Sequence, residues 1–342
     1  MDKIISIIIP TYNMEKYLRH CLDSLIVSNM DKVEVLVIND GSKDSSSAIA
    51  HEYQDKYPQT FRVIDKENGN YGSCINRGLK EATGKYVKVL DADDWFDNES
   101  FKHYISDISN IDADLIITDY NFVDDKGNKS KVSYNLPSNK QLPMKQVSSM
   151  DDFVKIEMHA VTYRTKNIQS MGYRQTEGIS YTDQEWMFWP MTSVRDIFYL
   201  HNCLYQYFIG REGQTVTLSQ RLKHLDQIIA IQRCSLSLWK EKKDQVGDAG
   251  EYIKKRLYRR LSFIYEPDYL LVSNSRKNLI RDFDNYLKKD FPDIYDRSNS
   301  ILLRMLGFNF PYLRLWRKGD NSLGFRLISL LWRLKGLKHR LF

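Results

Sequence analysis

Val87-Lys88-Val89-Leu90-Asp91-Ala92-Asp93-Asp94-Trp95 is a short apolar run that ends in three carboxylates within four residues. A run of that length reads as a buried strand, and side chains two apart on an extended chain point the same way, so Asp91 and Asp93 address one spot. Converging carboxylates with no His or Cys beside them suit Mg²⁺ or Mn²⁺, hard cations that take one or two protein carboxylates and complete their shells with water and substrate phosphates. An acidic turn closing a strand is the plainer reading of an isolated Asp-x-Asp. The surrounding sequence bears on the choice.

Upstream, Ile4 to Ile9 is nearly continuous β-branched sequence, the pattern of a strand buried on both faces. Pro10 ends it, and Asn13 is an N-cap candidate for a helix in which Tyr17, Leu18, Cys21, Leu22 and Leu25 recur at helical spacing. Val33 to Ile38 is a second strand closed by Asn39-Asp40-Gly41-Ser42, followed by a helix from Asp44 or Ser45, a third strand over Phe61 to Ile64, a loop at 67–72 and a helix from Ser73 to Ala82. Strands alternating with helices predict an α/β fold with a mainly parallel, doubly wound sheet, helices on both faces, and ligands outside the carboxyl ends of the strands. Thr11, Asp40, Asn68 and Asp91 all fall there. Asp40 can accept from a base or ribose donor, Tyr12 can pack on a base, and Gly41 and Ser42 let the backbone come close; a helix-capping role for Asp40 is the alternative. No Gly-x-Gly-x-x-Gly follows the first strand, and Gly78 to Gly84-Lys85-Tyr86 misses the phosphate-loop spacing by one residue and lacks its hydroxyl.

Ile8-Ile9-Pro10-Thr11-Tyr12-Asn13, Val37-Ile38-Asn39-Asp40-Gly41-Ser42-Lys43-Asp44, Glu67-Asn68-Gly69 with Asn76 and Gly78, and Asp91-Ala92-Asp93-Asp94, in this order and spacing, resemble the family 2 glycosyltransferases with the glycosyltransferase-A fold, over about residues 3–215. The resemblance implies transfer of a sugar, with inversion at the anomeric carbon, from a nucleoside diphosphate sugar (a UDP-sugar is expected) with Mn²⁺ or Mg²⁺ on the diphosphate. By position, Pro10, Thr11, Tyr12 and Asp40 would hold the nucleoside, with Asn68 and Gly69 beside the donor. Asp91 and Ala92 would lie near ribose or donor sugar, and Asp93 would ligate the metal. One departure stands out: many members carry Arg where this chain has Ile75, and the neighbouring Arg77 is no assured replacement.

Downstream, Phe101 to Ile108 reads as a helix, 114–119 as a strand, Phe122 to Tyr134 as a hairpin, and 135–150, with Pro137 and Pro143, as a loop on the acceptor side. Tyr181-Thr182-Asp183-Gln184-Glu185-Trp186 leads into an aromatic-rich helix. Inverting transfer needs a base for the acceptor hydroxyl, and a carboxylate at a helix N-terminus in an apolar frame suits that role. Family members show an acid pair here, so Asp183 is the base by position and Glu185 the fallback; a helix cap is the bland reading of Asp183. His159 and Trp186 are acceptor-contact candidates, with a core histidine the alternative for His159. His201 is a candidate third metal ligand by family position. Arg211, in Gly210-Arg211-Glu212-Gly213-Gln214-Thr215, is suited to forked contacts with a diphosphate; a solvated arginine is the alternative.

From Leu218 onward the apolar spacing is helical and strands are no longer expected. The expected organisation is a catalytic domain over 1–217, a helical appendage over 218–300 and a basic amphipathic segment over 301–342. That last segment holds nine of the 50 lysines and arginines against one acid, Asp320, in a chain of net charge +6. Its basic residues are interleaved with Leu, Phe and Trp, as in helices that lie in a membrane interface, each cation adding on the order of 1 kcal/mol near an anionic leaflet. Docking on the protein's own core is the alternative, and so much aliphatic surface argues against nucleic acid. Cys21, Cys74, Cys203 and Cys234 lack paired metal or redox spacing and fit a reducing cytoplasm. No signal peptide is expected, because the apolar stretch after Met1-Asp2-Lys3 is short and runs into Pro10, and no run reaches the roughly 18 apolar residues of a membrane span. These features point to an enzyme peripheral on the inner face of the cell membrane, acting on a lipid-linked or polysaccharide acceptor in surface polysaccharide assembly, with oligomerisation left open. The rivals are the same chemistry on a soluble acceptor, and a catalytically silent nucleotide-sugar-binding scaffold.

Overall fold

The computed structural model describes every residue except Met1, 212–213, 215–216, 273–275, 320–321 and 339–342, and the side chains of Val272 and 335–338 also lie outside the description. Glu212, Gly213, Thr215, Asp320 and Arg340 therefore fall outside the described residues, as do the side chains of Lys335 and Lys338. In chain order the elements are β1 (Ile5–Thr11), α1 (Leu18–Asp23), β2 (Val33–Asn39), α2 (Ser46–Lys56), β3 (Phe61–Asp65), α3 (Asn70–Glu81), β4 (Tyr86–Val89), β5 (Trp95–Phe96), α4 (Asn98–Ser109), β6 (Leu115–Val123), β7 (Lys129–Val132), β8 (Gln141–Pro143), α5 (Met144–Val147), α6 (Asp151–Val154), β9 (Val161–Arg164), α7 (Thr165–Ser170), α8 (Asp183–Trp186) and β10 (Asp196–Phe208). Then follow α9 (Leu218–Lys223), α10 (Leu225–Lys242), α11 (Gly250–Ile264), α12 (Lys277–Asp290), α13 (Pro292–Ser298), β11 (Leu303–Met305), β12 (Phe308–Phe310), α14 (Tyr312–Lys318) and α15 (Leu323–Lys338). The residues fall into two compact units, Met1–Gln214 with Leu238–Ile253, and Thr215–Ser237 with Lys254–Phe342.

The first unit is built on a sheet ordered β3-β2-β1-β4-β9-β6-β10-β5, with β7 added to β6 and β8 to β10. Ile5, Ile7, Ile8 and Ile9 are fully buried, as their continuous β-branched run requires. Strands β3, β2, β1 and β4 pair in parallel, and so do β6 and β10. Between these blocks β9 runs antiparallel to both neighbours, so the sheet is mixed rather than parallel throughout. A short strand reached through single helical turns needs no crossover helix, and antiparallel pairing admits it.

Local departures from the sequence reading have local causes. Asn13 does not cap α1: its backbone is left-handed (φ +53), and its Oδ1 accepts from the Lys43 amide at 2.7 Å. Helix α3 starts at Asn70, three residues earlier than expected. Segment 135–150 is more than a loop, because β8 pairs antiparallel with β10 and α5 follows it. A three-residue strand is too short to leave a periodic signature.

In the second unit, helices dominate as expected, but strands do not stop at Leu218: β11 and β12 form an antiparallel hairpin. Tyr312, Leu313 and Trp316 of α14 are buried, and Arg317 Nη2 meets Asp284 Oδ1 at 2.7 Å with both side chains 6 % exposed. One face of the basic segment is thus docked on its own unit.

Candidate active site

The carboxyl ends of β1, β2 and β4 assemble the first part of the site. The Asp40 amide donates to Thr11 O (2.8 Å), tying the two strand ends together. Asp40 Oδ1 accepts from Lys66 Nζ (2.5 Å) and the Gly69 amide (2.9 Å), while Asn68 Nδ2 donates to Asp40 O (2.9 Å). Thr11 is buried and Tyr12 is exposed beside it. Lys66 went unrecognised in the sequence although it directly precedes Glu67-Asn68-Gly69. Ile75 is buried in α3 and presents no cation.

The three carboxylates after β4 diverge in environment. Asp91 Oδ1 accepts from Tyr71 Oη at 2.9 Å, and burial, reinforced by the charge of Asp93, pushes its carboxyl up to about 7. Asp93 Oδ2 takes a charge-assisted bond from Arg211 Nε at 2.6 Å. Asp94 is committed to the fold: its oxygens accept from Tyr205 Oη (2.6 Å) and the Phe208 amide (2.8 Å), and burial holds its carboxyl well above the usual range. Ala92 is buried between them.

Alternation along β10 sends Tyr205 and Tyr207 to the same face, where both rings contact His159, the Tyr207 ring stacked at 4.3 Å. Burial lowers the His159 imidazole to about 4, and its Nδ1 is buried without a hydrogen-bond partner among the described residues. Its potential ligand atom lies within 4.8 Å of those of Asp91 and Asp94. The core-histidine alternative therefore describes its packing, with one nitrogen left over. Below it, fully buried Lys88 donates from Nζ to His159 O (2.7 Å) and Val161 O (3.1 Å), and burial pushes its ammonium down to about 7.

Asp183 opens α8, and its Oδ2 accepts from Gln184 Nε2 at 2.6 Å. Its charge reaches Asp91, Tyr71 and Tyr207, so the chain folds it back to the acidic cluster from about ninety residues away. Glu185 is engaged otherwise: its carboxylate accepts from both the amide and the hydroxyl of Thr176, each at 2.7 Å. That loop lies against α3 because Gly72 has no side chain; a Cβ there would stand 1.9 Å from Thr176 O. Trp186, expected at the acceptor side, packs instead as a core residue, 1 % exposed against Tyr163 and Tyr173. His201 Nδ1 is paired with Asp119 Oδ2 (3.3 Å), whose carboxylate also meets Lys131, and it lines a cavity of about 480 Å³ with Glu99, Ser100 and His103 rather than with donor-site candidates. Tyr71, Tyr205 and Tyr207 belong to the site without having been singled out for it; the Tyr-x-Tyr alternation was the available signal.

Residues 6–171 match the family model described as "Glycosyl transferase family 2". The putative glycosyltransferase EpsH of Bacillus subtilis is 36 % identical over 116 residues, 34 % of this chain and 33 % of that protein. An uncharacterized glycosyltransferase of Rickettsia prowazekii is 29 % identical over 233 residues, 66 % of this chain and 70 % of that one. The chain spans about a third of EpsH and 17 % of the GlyA glycosyltransferase of Streptococcus pneumoniae. Among solved structures, residues 1–349 of S. aureus TarS in complex with UDP-GlcNAc superpose with a TM-score of 0.68 at 20 % identity, covering 97 % of this chain and 92 % of that one. That likeness extends the fold over nearly the whole chain.

Proposed function

We infer, from the family 2 glycosyltransferase domain this chain carries, that the protein transfers one sugar from a nucleoside diphosphate sugar to an acceptor hydroxyl with inversion at the anomeric carbon. The observation that supports the reading is that Asp40 follows the carboxyl end of β2 while Asp91 and Asp93 follow that of β4, with Asp183 near enough for its charge to lift Asp91. A UDP-sugar is the donor we propose, the class of molecule bound to TarS. Asp40 and Tyr12 hold the nucleoside, and Arg211 turns to the diphosphate. The acceptor oxygen bonds to the anomeric carbon opposite the diphosphate as Asp183 takes its proton. The bond from that carbon to the diphosphate oxygen breaks, and the nucleoside diphosphate leaves with the electron pair.

The residues fit Mg²⁺ or Mn²⁺: Asp91 and Asp93 offer hard oxygens only, and Asp93 already attracts a cation, the Arg211 guanidinium. Asp94, occupied by Tyr205 and Phe208, is less available. A bound divalent ion supplies positive charge to the leaving diphosphate. We propose a lipid-linked acceptor of surface polysaccharide assembly as the substrate class, with 301–342 meeting the membrane's inner face. The contact proposed is peripheral; among the described residues no helix is long and apolar enough to cross a membrane.

The test is nucleoside diphosphate release from a panel of nucleotide sugars with Mn²⁺ or Mg²⁺ and a membrane extract as acceptor source. Metal-dependent release from one donor, lost in Asp93→Ala and Asp183→Asn, is expected. Donor binding without turnover, identical in wild type and both variants, would replace the enzyme with a silent nucleotide-sugar binder.

A further inference from the structure

The apolar surface of this protein is unevenly distributed. Of ten large apolar side chains exposed among the described residues, seven lie between Leu302 and Leu334. Isolated exposed leucines need no explanation, whereas a concentration rimmed by charge marks an interaction surface.

The β11–β12 hairpin is the sharpest part of it. Met305 pairs with Phe308, leaving Leu306-Gly307 as a two-residue turn with φ +52 and +82. Left-handed backbone at both central positions is the turn geometry that favours Asn-Gly or Gly-Gly, and leucine is a poor choice for it. Leu306 is nevertheless 71 % exposed and Phe308 69 %, while Leu303 and Met305 anchor the hairpin in its unit. Neither the turn nor the core accounts for an apolar tip.

Helix α15 repeats the theme. Leu323, Leu327, Leu330 and Leu334 are exposed and recur at helical spacing along one face, while Phe325 and Ile328 are buried on another. The buried face is held by Trp332 Nε1 donating to Asp268 Oδ1 at 2.9 Å. Packing on the unit therefore occupies only part of the apolar circumference.

Charge identifies the partner. Arg304, beside the tip, and Arg314, Lys318 and Arg326 are exposed in the same segment, which holds one acid against nine basic residues. Leucines to bury and cations around them match an anionic lipid bilayer, with acyl chains beneath phosphate headgroups. We propose that the β11–β12 tip is a membrane wedge: Leu306 and Phe308 enter the acyl boundary of an anionic leaflet, the leucine face of α15 lies on it, and the arginines meet lipid phosphates. This deepens the reading that 301–342 meets a membrane, and rests on it.

The test is co-sedimentation of the full chain with phosphatidylcholine vesicles and with vesicles containing phosphatidylglycerol, comparing wild type with Leu306→Ser/Phe308→Ser. Wild type is expected to pellet with the anionic vesicles and be released by salt. Burying two such side chains predicts an affinity loss on the order of a hundredfold in the double variant, with an unchanged melting temperature because both sites are exposed. As a second readout, an environment-sensitive dye on Leu306→Cys in a Cys234→Ser background, Cys234 being an exposed free thiol, should shift to the blue only with anionic vesicles. If wild type binds neither vesicle, the membrane reading itself falls and the wedge with it. If wild type and the double variant bind equally, the membrane reading survives and the wedge is overturned. Self-association of wild type without vesicle binding, abolished by the double substitution, would make the surface an interface between copies and also overturn the proposal.

Discussion

Two acids of the same short helix separate by what they already hold. Glu185 has both oxygens on Thr176, whereas Asp183 Oδ2 accepts from the side-chain amide of its neighbour Gln184. Asp183→Asn should lower turnover by roughly 10²–10⁴ with little change in melting temperature, the size of a lost general base. Glu185→Gln should lower stability and activity together, because its amide presents a donor where Thr176 needs acceptors; equal melting temperatures in the two variants would contradict this. Lys88 makes a pH prediction. Its folded value of about 7 lies below its ordinary 10.5, so between those pH values the unfolded chain binds more protons than the folded one. Stability contributed here must therefore rise with pH from about 7 toward 10. Denaturant titrations of Lys88→Met should show a flatter rise than wild type. That Asp91 and Asp93 stand together is readable from their spacing, and Asp183 is named from the family resemblance, but the contacts of Lys66 and Tyr71 are not legible, since each depends on a partner more than nineteen residues away in sequence.

At the scale of elements, the contact between α3 and the loop before α8 relates the two halves of the site. Gly72→Ala would drive a methyl group into Thr176 O. A loss of about 1–3 kcal/mol in stability is expected, with a larger loss of turnover as Asp183 moves relative to Asp91; thermal melts and kinetics on the same preparation check both. Elements with continuous apolar runs, β1, β2 and β4, were legible because burial on both faces writes itself into composition. The hidden ones were β8, whose three residues are defined by pairing with β10, and β12, whose turn carries Leu306 in place of the usual asparagine. Helix α1 lies in the stretch its apolar spacing predicts but begins at Leu18, because Asn13 uses its side chain across a loop instead of along a helix.

Across the whole molecule, the charge asymmetry of the last segment was readable from counts alone, but its attachment was not. Among the described residues Arg317 is the most buried cation of the segment and the counterion of Asp284, with Tyr265 Oη also donating to that carboxylate. Arg317→Ala should cost about 3–5 kcal/mol, since it strands a buried charge. Removing 301–342 outright would do the same, so a truncation cannot separate membrane binding from folding, whereas surface substitutions can. Calorimetric unfolding of Arg317→Ala beside Arg314→Ala, whose side chain is exposed, distinguishes anchor from periphery.

The Arg211–Asp93 pair has a thermodynamic consequence. A carboxylate that carries its own counterion does not add a divalent ion; it exchanges one cation for another. The displaced guanidinium can then turn to the diphosphate, so metal and donor should each raise the other's affinity by the same factor, as linkage requires. In calorimetric titrations Arg211→Ala should bind Mn²⁺ more tightly than wild type when no nucleotide is present and lose that mutual enhancement when it is. Equal metal affinity in the two proteins would mean that the pair is no exchange site.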